Sequence, residues 1–293
     1  VELQSRLNEL QSKGIGLAAI SYDPIETLAA FSKQHGITFP LLSDTGSATI
    51  KRYGILNPVP GWALGSGGTD PAVQADVQKY VTVGRASAMM VGVAFPGTFM
   101  LDRQGRVTSR YFEDFYIERN TVSSILMRLG NSTKPVNATK ITTGQLDVIT
   151  YPSDTSLAAG DRVALAFDIQ PHSGMHIYAQ GAKGYRPIAL KIDPQPFVRI
   201  LPVKFPASEI YEFKPLNERV PVYRKPFAFV QEVILEGSPQ AQASYRGKET
   251  LTITGSLEYQ ACDEQICYSP TSIPLSWTFT LRALVRERTP HME

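Results

Sequence analysis

Cysteine is nearly absent from this chain. Two occur in 293 residues, Cys262 and Cys267, and residues 1 to 261 contain none. That excludes a scaffold stapled by several disulfides and excludes thiol chemistry from any earlier position. Histidine is equally sparse. A zinc site needs about four ligands, and of the four histidines only His172 and His176 lie near each other in the sequence. No metal and no cofactor is therefore expected. Charge of one sign is lacking too: 29 Lys and Arg against 27 Asp and Glu leave a net +2 with no basic block, which gives no basis for nucleic-acid binding. No apolar run approaches the ~20 residues that span a bilayer.

What is present is a length that suggests two domains. The 21 prolines, 22 glycines and 43% hydrophobic residues fit a loop-rich globular protein with β content. "VELQSRLNELQSKG" has helical spacing, with Leu3, Leu7 and Leu10 on one face and Gly14 as a C-terminal cap. No capping residue precedes it, so Val1 reads as a cut inside a larger protein and no targeting segment is visible. "IGLAAIS" predicts a short buried strand, "IETLAAFSKQHG" a helix, "FPLLSD" a strand and "GSATIKRYGI" a second helix. Residues 57 to 94 read as irregular, with a possible helix over "AVQADVQKYVTVGRASAMM". "GTFMLD" and "RVTSRYF" flank the turn "RQG" as a β-hairpin, and "IERNTVSSILMRLG" predicts a further helix. Strands alternating with helices argue for an α/β domain over 1–131.

The pattern changes at "NSTKPVNATK", and 132–140 reads as a linker. Over 141–293, segments such as "RVALAFDIQ", "AFVQEVIL" and "IPLSWTFTL" are separated by Pro/Gly turns with no convincing helix, the pattern of an antiparallel β-sandwich.

On "IGLAAISYDPIETLAAFSKQHGITFPLLSDTGSATIKRYGI" and "FPGTFMLDRQGRV", the first half resembles the AhpC/TSA (redoxin) group of the thioredoxin superfamily. The resemblance implies a truncated, peroxiredoxin-like thioredoxin fold lacking its first strand and active-site turn, with Pro96 preceded by a cis bond. The family's reactive cysteine has no counterpart here, so a thiol peroxidase requires one upstream of Val1.

The second half, through "TLTITGSLEYQACDEQICYSPTSIPLSWTF", "GMHIYAQG" and "IYEF…VPVYRKPF", resembles the N-terminal domain of DsbD-type thiol:disulfide interchange proteins. That domain is an immunoglobulin-like sandwich with a redox-active cysteine pair, which implies catalytic roles for Cys262 and Cys267. It also implies site-lining by His176, Tyr178, Tyr259 and Tyr268, and an aromatic cap at Tyr211 or Phe213. The spacing C-x4-C is one residue shorter than the family pattern.

Three readings of the pair compete. A metal site lacks ligands. A structural staple closing so small a loop restricts the unfolded chain by only about 2 kcal/mol, against about 5 for a 100-residue loop. A redox pair needs sulfurs that are close, accessible and rigidly held, which a hairpin end provides. Asp263 and Glu264 between the cysteines disfavour a thiolate and suit a disulfide that awaits attack by a partner. With no other cysteine available, the two are expected to bond to each other. The resemblance implies a bacterial, periplasmic or otherwise exported oxidoreductase or electron relay with a thioredoxin-like partner. The alternative is a non-enzymatic interaction module with a degenerate redoxin domain and a structural disulfide.

Overall fold

The computed structural model describes residues 2–81, 88–112, 118–128, 137–213 and 218–283. Two compact units emerge, the first comprising the residues up to Val122 together with Gly237–Ala243, and the second Ser123–Glu236 and Ser244–Ala283.

In the first unit the opening helical pattern is realised as Glu2–Ser5 and Leu7–Ser12. Leu7 packs with Ile37 and Phe39, and Leu3, Leu17 and Phe31 close over them. The strand Ala19–Ser21 runs parallel to Leu41–Ser43. Such a pairing needs a crossover, here the helix Ile25–His35, stopped by left-handed Gly36 at φ 61°. The hairpin Gly97–Leu101 with Val107–Phe112 turns at Asp102, whose Oδ1 accepts the N–H groups of Gln104 and Arg106, both at 2.9 Å. Within 57 to 94 the chain is helical over Val59–Gly61, Trp62–Ser66 and Pro71–Val81, with one further turn at Ala88–Met90; residues 82–87 of the expected helix lie outside the described residues.

The cis bond expected before Pro96 is absent, since no described peptide bond is cis. Phe95 donates its N–H to Ile55 O at 2.7 Å and Leu56 bridges Ala94. This short ladder leads the chain extended into Gly97, so nothing offsets the intrinsic trans preference of about 0.5–1 kcal/mol.

The second unit is built on alternation. Along Thr271–Leu281 every second residue (Ile273, Leu275, Trp277, Phe279) is buried and those between are not, the signature of a half-buried strand. It pairs with Thr250–Tyr259, which pairs with Ala189–Ile192. A second sheet runs Val198–Ile200, Phe227–Leu235, Asp161–Pro171, Leu146–Pro152, Thr139–Thr142. Its central strand is buried almost throughout, as a strand covered on both faces must be. Phe167 joins the sheets, stacked on Phe229 at 4.7 Å and edge-on to Trp277 at 5.8 Å. Trp277 Nε1 donates to Thr150 Oγ1 at 3.1 Å, so burying the indole leaves no donor unpaired. Apart from the parallel contact of Ser156–Leu157 with Thr271–Leu281, these pairings are antiparallel.

Two elements depart from expectation. The helix expected over "IERNTVSSILMRLG" forms as the shorter Val122–Arg128, and Arg119–Asn120 of that stretch is a strand instead. Met127 sits against Tyr151, Ala164 and Ala166, and Arg128 pairs with Glu232. A short helix, Pro239–Tyr245, also interrupts a half expected to have none. Ser238 Oγ accepts the Ala241 N–H at 3.2 Å and Pro239 occupies the first helical position, two local start signals.

A third sheet, Glu209–Phe213, Glu218–Tyr223, His176–Tyr178, Ala261–Cys262, carries the cysteine pair at its edge.

Candidate functional site

The site is a β-hairpin. Cys262 and Cys267 face each other as an antiparallel bridge, disulfide-bonded with Cα atoms 4.1 Å apart. The four residues between them form a turn organised by Asp263. Its Oδ1 accepts the N–H groups of Gln265 and Ile266, both at 2.7 Å, and its own N–H donates to Ile266 O. The phenol of Tyr268 donates to Asp263 Oδ2 at 3.0 Å. These bonds, the backbone N–H groups of Ile266 and Gln265 foremost, hold the Asp263 carboxyl below the usual carboxylate range. The same hydrogen bond pushes the Tyr268 phenol up.

Register decides what surrounds the sulfurs. His176 pairs with Cys262 across the sheet, so both side chains share a face. Tyr178, two residues on, lies on that face, as do Val222 opposite it and Val220. Cys262 is 1% exposed within this cluster, whereas Cys267 is exposed. One cysteine of the bond is sealed and the other lies at the surface. Tyr178 Oη stands 3.0 Å from Cys262 Sγ and 3.6 Å from Cys267 Sγ. A disulfide sulfur carries no proton, so the phenol donates.

Aromatic rings build the wall. His176 meets Tyr178 edge-on at 5.5 Å and lies against Tyr211 at 4.6 Å. The Arg224 guanidinium stands 5.5 Å from the Tyr211 ring centre. Burial, with Arg224 in support and Asp263 opposing, holds His176 below its ordinary value, so it is neutral at pH 7.

Of the expected site residues, Cys262, Cys267, His176, Tyr178 and Tyr211 come together, and Tyr268 braces the turn. Tyr211 packs against the cluster that buries Cys262. The Phe213 side chain lies outside the described residues. Tyr259 is not at the site. It ends the strand Thr250–Tyr259, in a different sheet from Cys262, and its hydroxyl reaches Thr143 Oγ1 at 2.9 Å and Gln145 Oε1 at 3.0 Å. Pro96 belongs to the other unit.

Sequence reasoning missed Tyr185, whose ring stacks on Tyr178 at 4.0 Å. The signal was a lone aromatic in the turn-rich stretch "QGAKGYRP" next to a site strand. Among the described residues no three His, Cys, Asp or Glu side chains converge to hold a metal, and no helix is long and apolar enough to cross a membrane.

Residues 1–110 match the AhpC/TSA family, and residues 150–274 match the family described as thiol:disulfide interchange protein DsbD, N-terminal. No curated protein matches the chain. Among solved structures, the N-terminal periplasmic domain of ScsB from Proteus mirabilis aligns at 12% identity and TM-score 0.34, over 47% of this chain and 49% of that one. The Neisseria meningitidis DsbD N-terminal domain in the reduced form aligns at 18% identity and TM-score 0.28, over 40% of this chain and 81% of that one. The chain thus spans about half the length of the ScsB domain it matches.

Proposed function

We propose that the second half of this chain, which matches the DsbD N-terminal family, exchanges its Cys262–Cys267 disulfide with a thioredoxin-like partner. The observation that carries this is the asymmetry of the bond, with Cys267 exposed and Cys262 sealed beneath Tyr178. A partner thiolate attacks the open sulfur, Cys267 Sγ, in line with the disulfide. The Cys267–Cys262 bond breaks as a bond from the partner sulfur to Cys267 forms. Cys262 leaves with the electron pair and takes up a proton. The partner's second thiol then attacks its own sulfur in the mixed disulfide and releases Cys267. Two electrons and two protons have passed to this chain, and the partner has become a disulfide. Run backwards, the same steps oxidise the pair.

Tyr178 supports the step that is otherwise costly. A thiolate leaving into an apolar pocket loses its hydration, and a hydrogen bond to an ionised sulfur is roughly twice as strong as one to a neutral acceptor. The phenol therefore stabilises the departing charge more than the resting bond. Asp263 and Glu264, at the mouth, disfavour a spontaneous thiolate at Cys267 and poise the pair as an acceptor.

Domain assignments of 1–131 as a redoxin-like domain, 132–140 as a linker and 141–293 as the exchange domain belong to this proposal, as do export to an oxidising compartment and a bacterial, periplasmic setting. The first domain has no thiol of its own, so within this chain the chemistry rests on Cys262 and Cys267.

The test is alkylation mass spectrometry in glutathione and dithiothreitol redox buffers, with circular dichroism to follow folding. We expect reduction of the folded sandwich at a potential above about −300 mV, the usual ceiling for structural disulfides. A bond that resists until the domain unfolds is a staple, and the chain is then an interaction module.

A further inference from the structure

We infer that Tyr185 is a positioning residue for the exchange proposed above, holding the Tyr178 phenol on the sulfur that leaves. The inference rests on that reaction and adds a residue, and a loop, that the reaction does not by itself require.

The loop is made for return. Gly181 and Gly184 sit at φ 92° and 80°, conformations open to glycine at little cost, and they fold the segment back over the sheet. Both ends are tied. Gln180 Nε2 donates to Ile188 O at 2.6 Å, and the Arg186 N–H donates to Gln260 Oε1 at 2.9 Å. The other end of the same amide, Gln260 Nε2, donates to Tyr268 O at 3.1 Å. Gln260 thus joins the Tyr185 loop to the residue just past Cys267, from a position two residues before Cys262. Tyr185 is thereby laid flat on Tyr178, with ring planes 10° apart and centroids 4.0 Å apart.

With His176 at its edge and Tyr185 on its face, the Tyr178 ring has little room to turn. That restriction matters because the hydroxyl has two sulfurs within reach, at 3.0 and 3.6 Å. A ring free to swing would spend part of its time off Cys262, and the thiolate leaving into the Val220–Val222 pocket would then find no donor. Tyr185 acts through its ring, so phenylalanine should replace it and alanine should not. A plain shield would behave in the opposite way, since removing it would speed access to the sulfurs.

The experiment follows reduction of the folded chain by dithiothreitol, quenched by alkylation and read by mass spectrometry, for the wild type, Tyr178→Phe, Tyr185→Ala, Tyr185→Phe and the double variant Tyr178→Phe/Tyr185→Ala. Losing the hydrogen bond in Tyr178→Phe should slow reduction about tenfold. Tyr185→Ala should slow it about three- to fivefold, and Tyr185→Phe should stay within about twofold of wild type. The double variant should match Tyr178→Phe alone, because a residue that works through Tyr178 has no effect once the phenol is gone. Faster or unchanged reduction in Tyr185→Ala, equal slowing in both Tyr185 variants, or slowing that persists in the Tyr178→Phe background overturns the inference. If dithiothreitol reduces the pair with the expected pattern but a reduced thioredoxin does not, the partner fails and the positioning role stands. A wild-type bond that dithiothreitol cannot open in the folded state removes both.

Discussion

Single-cysteine variants separate the two sulfurs. In Cys262→Ser the remaining thiol, Cys267, lies at the surface on the outer strand of the hairpin. In Cys267→Ser the remaining thiol, Cys262, is 1% exposed beneath Tyr178. For a reagent to reach it, the aromatic wall must open. Three ring contacts hold that wall: Tyr178 on Tyr185, His176 on Tyr178 and His176 on Tyr211. At about 0.5–1.5 kcal/mol each, opening costs roughly 1.5–4.5 kcal/mol. Converted at 1.4 kcal/mol per factor of ten, Cys262 should react about 10- to 2000-fold more slowly than Cys267. The assay is the rate of iodoacetamide modification of each variant by intact-mass spectrometry at neutral pH, with circular dichroism to confirm that both are folded. The same preparations, mixed with a thioredoxin carrying a single active-site cysteine in disulfide with a chromophoric thiol, should form a mixed disulfide through Cys267 and scarcely at all through Cys262. Rates within threefold of each other in folded protein would refute the asymmetry on which the exchange reading depends.

Three further outcomes follow from particular contacts. A Cβ placed on Gly255 would stand 2.3 Å from Lys191 O, on the neighbouring strand, so Gly255→Ala must displace Ala189–Ile192 and should cost about 1–3 kcal/mol of stability, read as a lower urea midpoint; an unchanged midpoint would show that the strand yields freely. Glu232 accepts a two-pronged bond from Arg162, at 2.9 and 3.1 Å, and pairs with Arg128 of the helix Val122–Arg128. Glu232→Gln should cost about 1–3 kcal/mol, the partial exposure of the groups keeping it below the loss for a fully buried pair, and hydrogen exchange should quicken across that helix; exchange unaltered there would mean that its buried side chains, Leu126 and Met127 among them, anchor it without the ion pair. His176 is held below its ordinary value by burial, so the stability it contributes is fully present above about pH 6.5 and is lost as the pH falls through its depressed folded value. Urea midpoints should therefore drop from pH 7.5 to pH 5, and the drop should shrink in His176→Phe; an identical drop in that variant assigns the effect to other groups.

Local structure and the position of the chemistry are legible along the chain. The alternation of Ile273, Leu275, Trp277 and Phe279 reads as a strand because side chains alternate faces with a period of two whatever lies beyond. Leu3, Leu7 and Leu10 likewise announce a helix, and two cysteines with four residues between them mark where a thiol site must lie. Tertiary structure decided the rest. The seal over Cys262 depends on His176 pairing with it across a sheet and on Tyr178 reaching it from 84 residues away. Tyr185 reaches Tyr178 only because the loop is tied to Gln260. The bond before Pro96 takes its intrinsically preferred trans form beside the ladder at Ile55 and Leu56. Periodicity is set within a few residues by backbone geometry. Exposure of one sulfur and burial of its partner are set by cross-strand register and by the packing of segments far apart in the chain, which is fixed when the whole apolar surface is buried together.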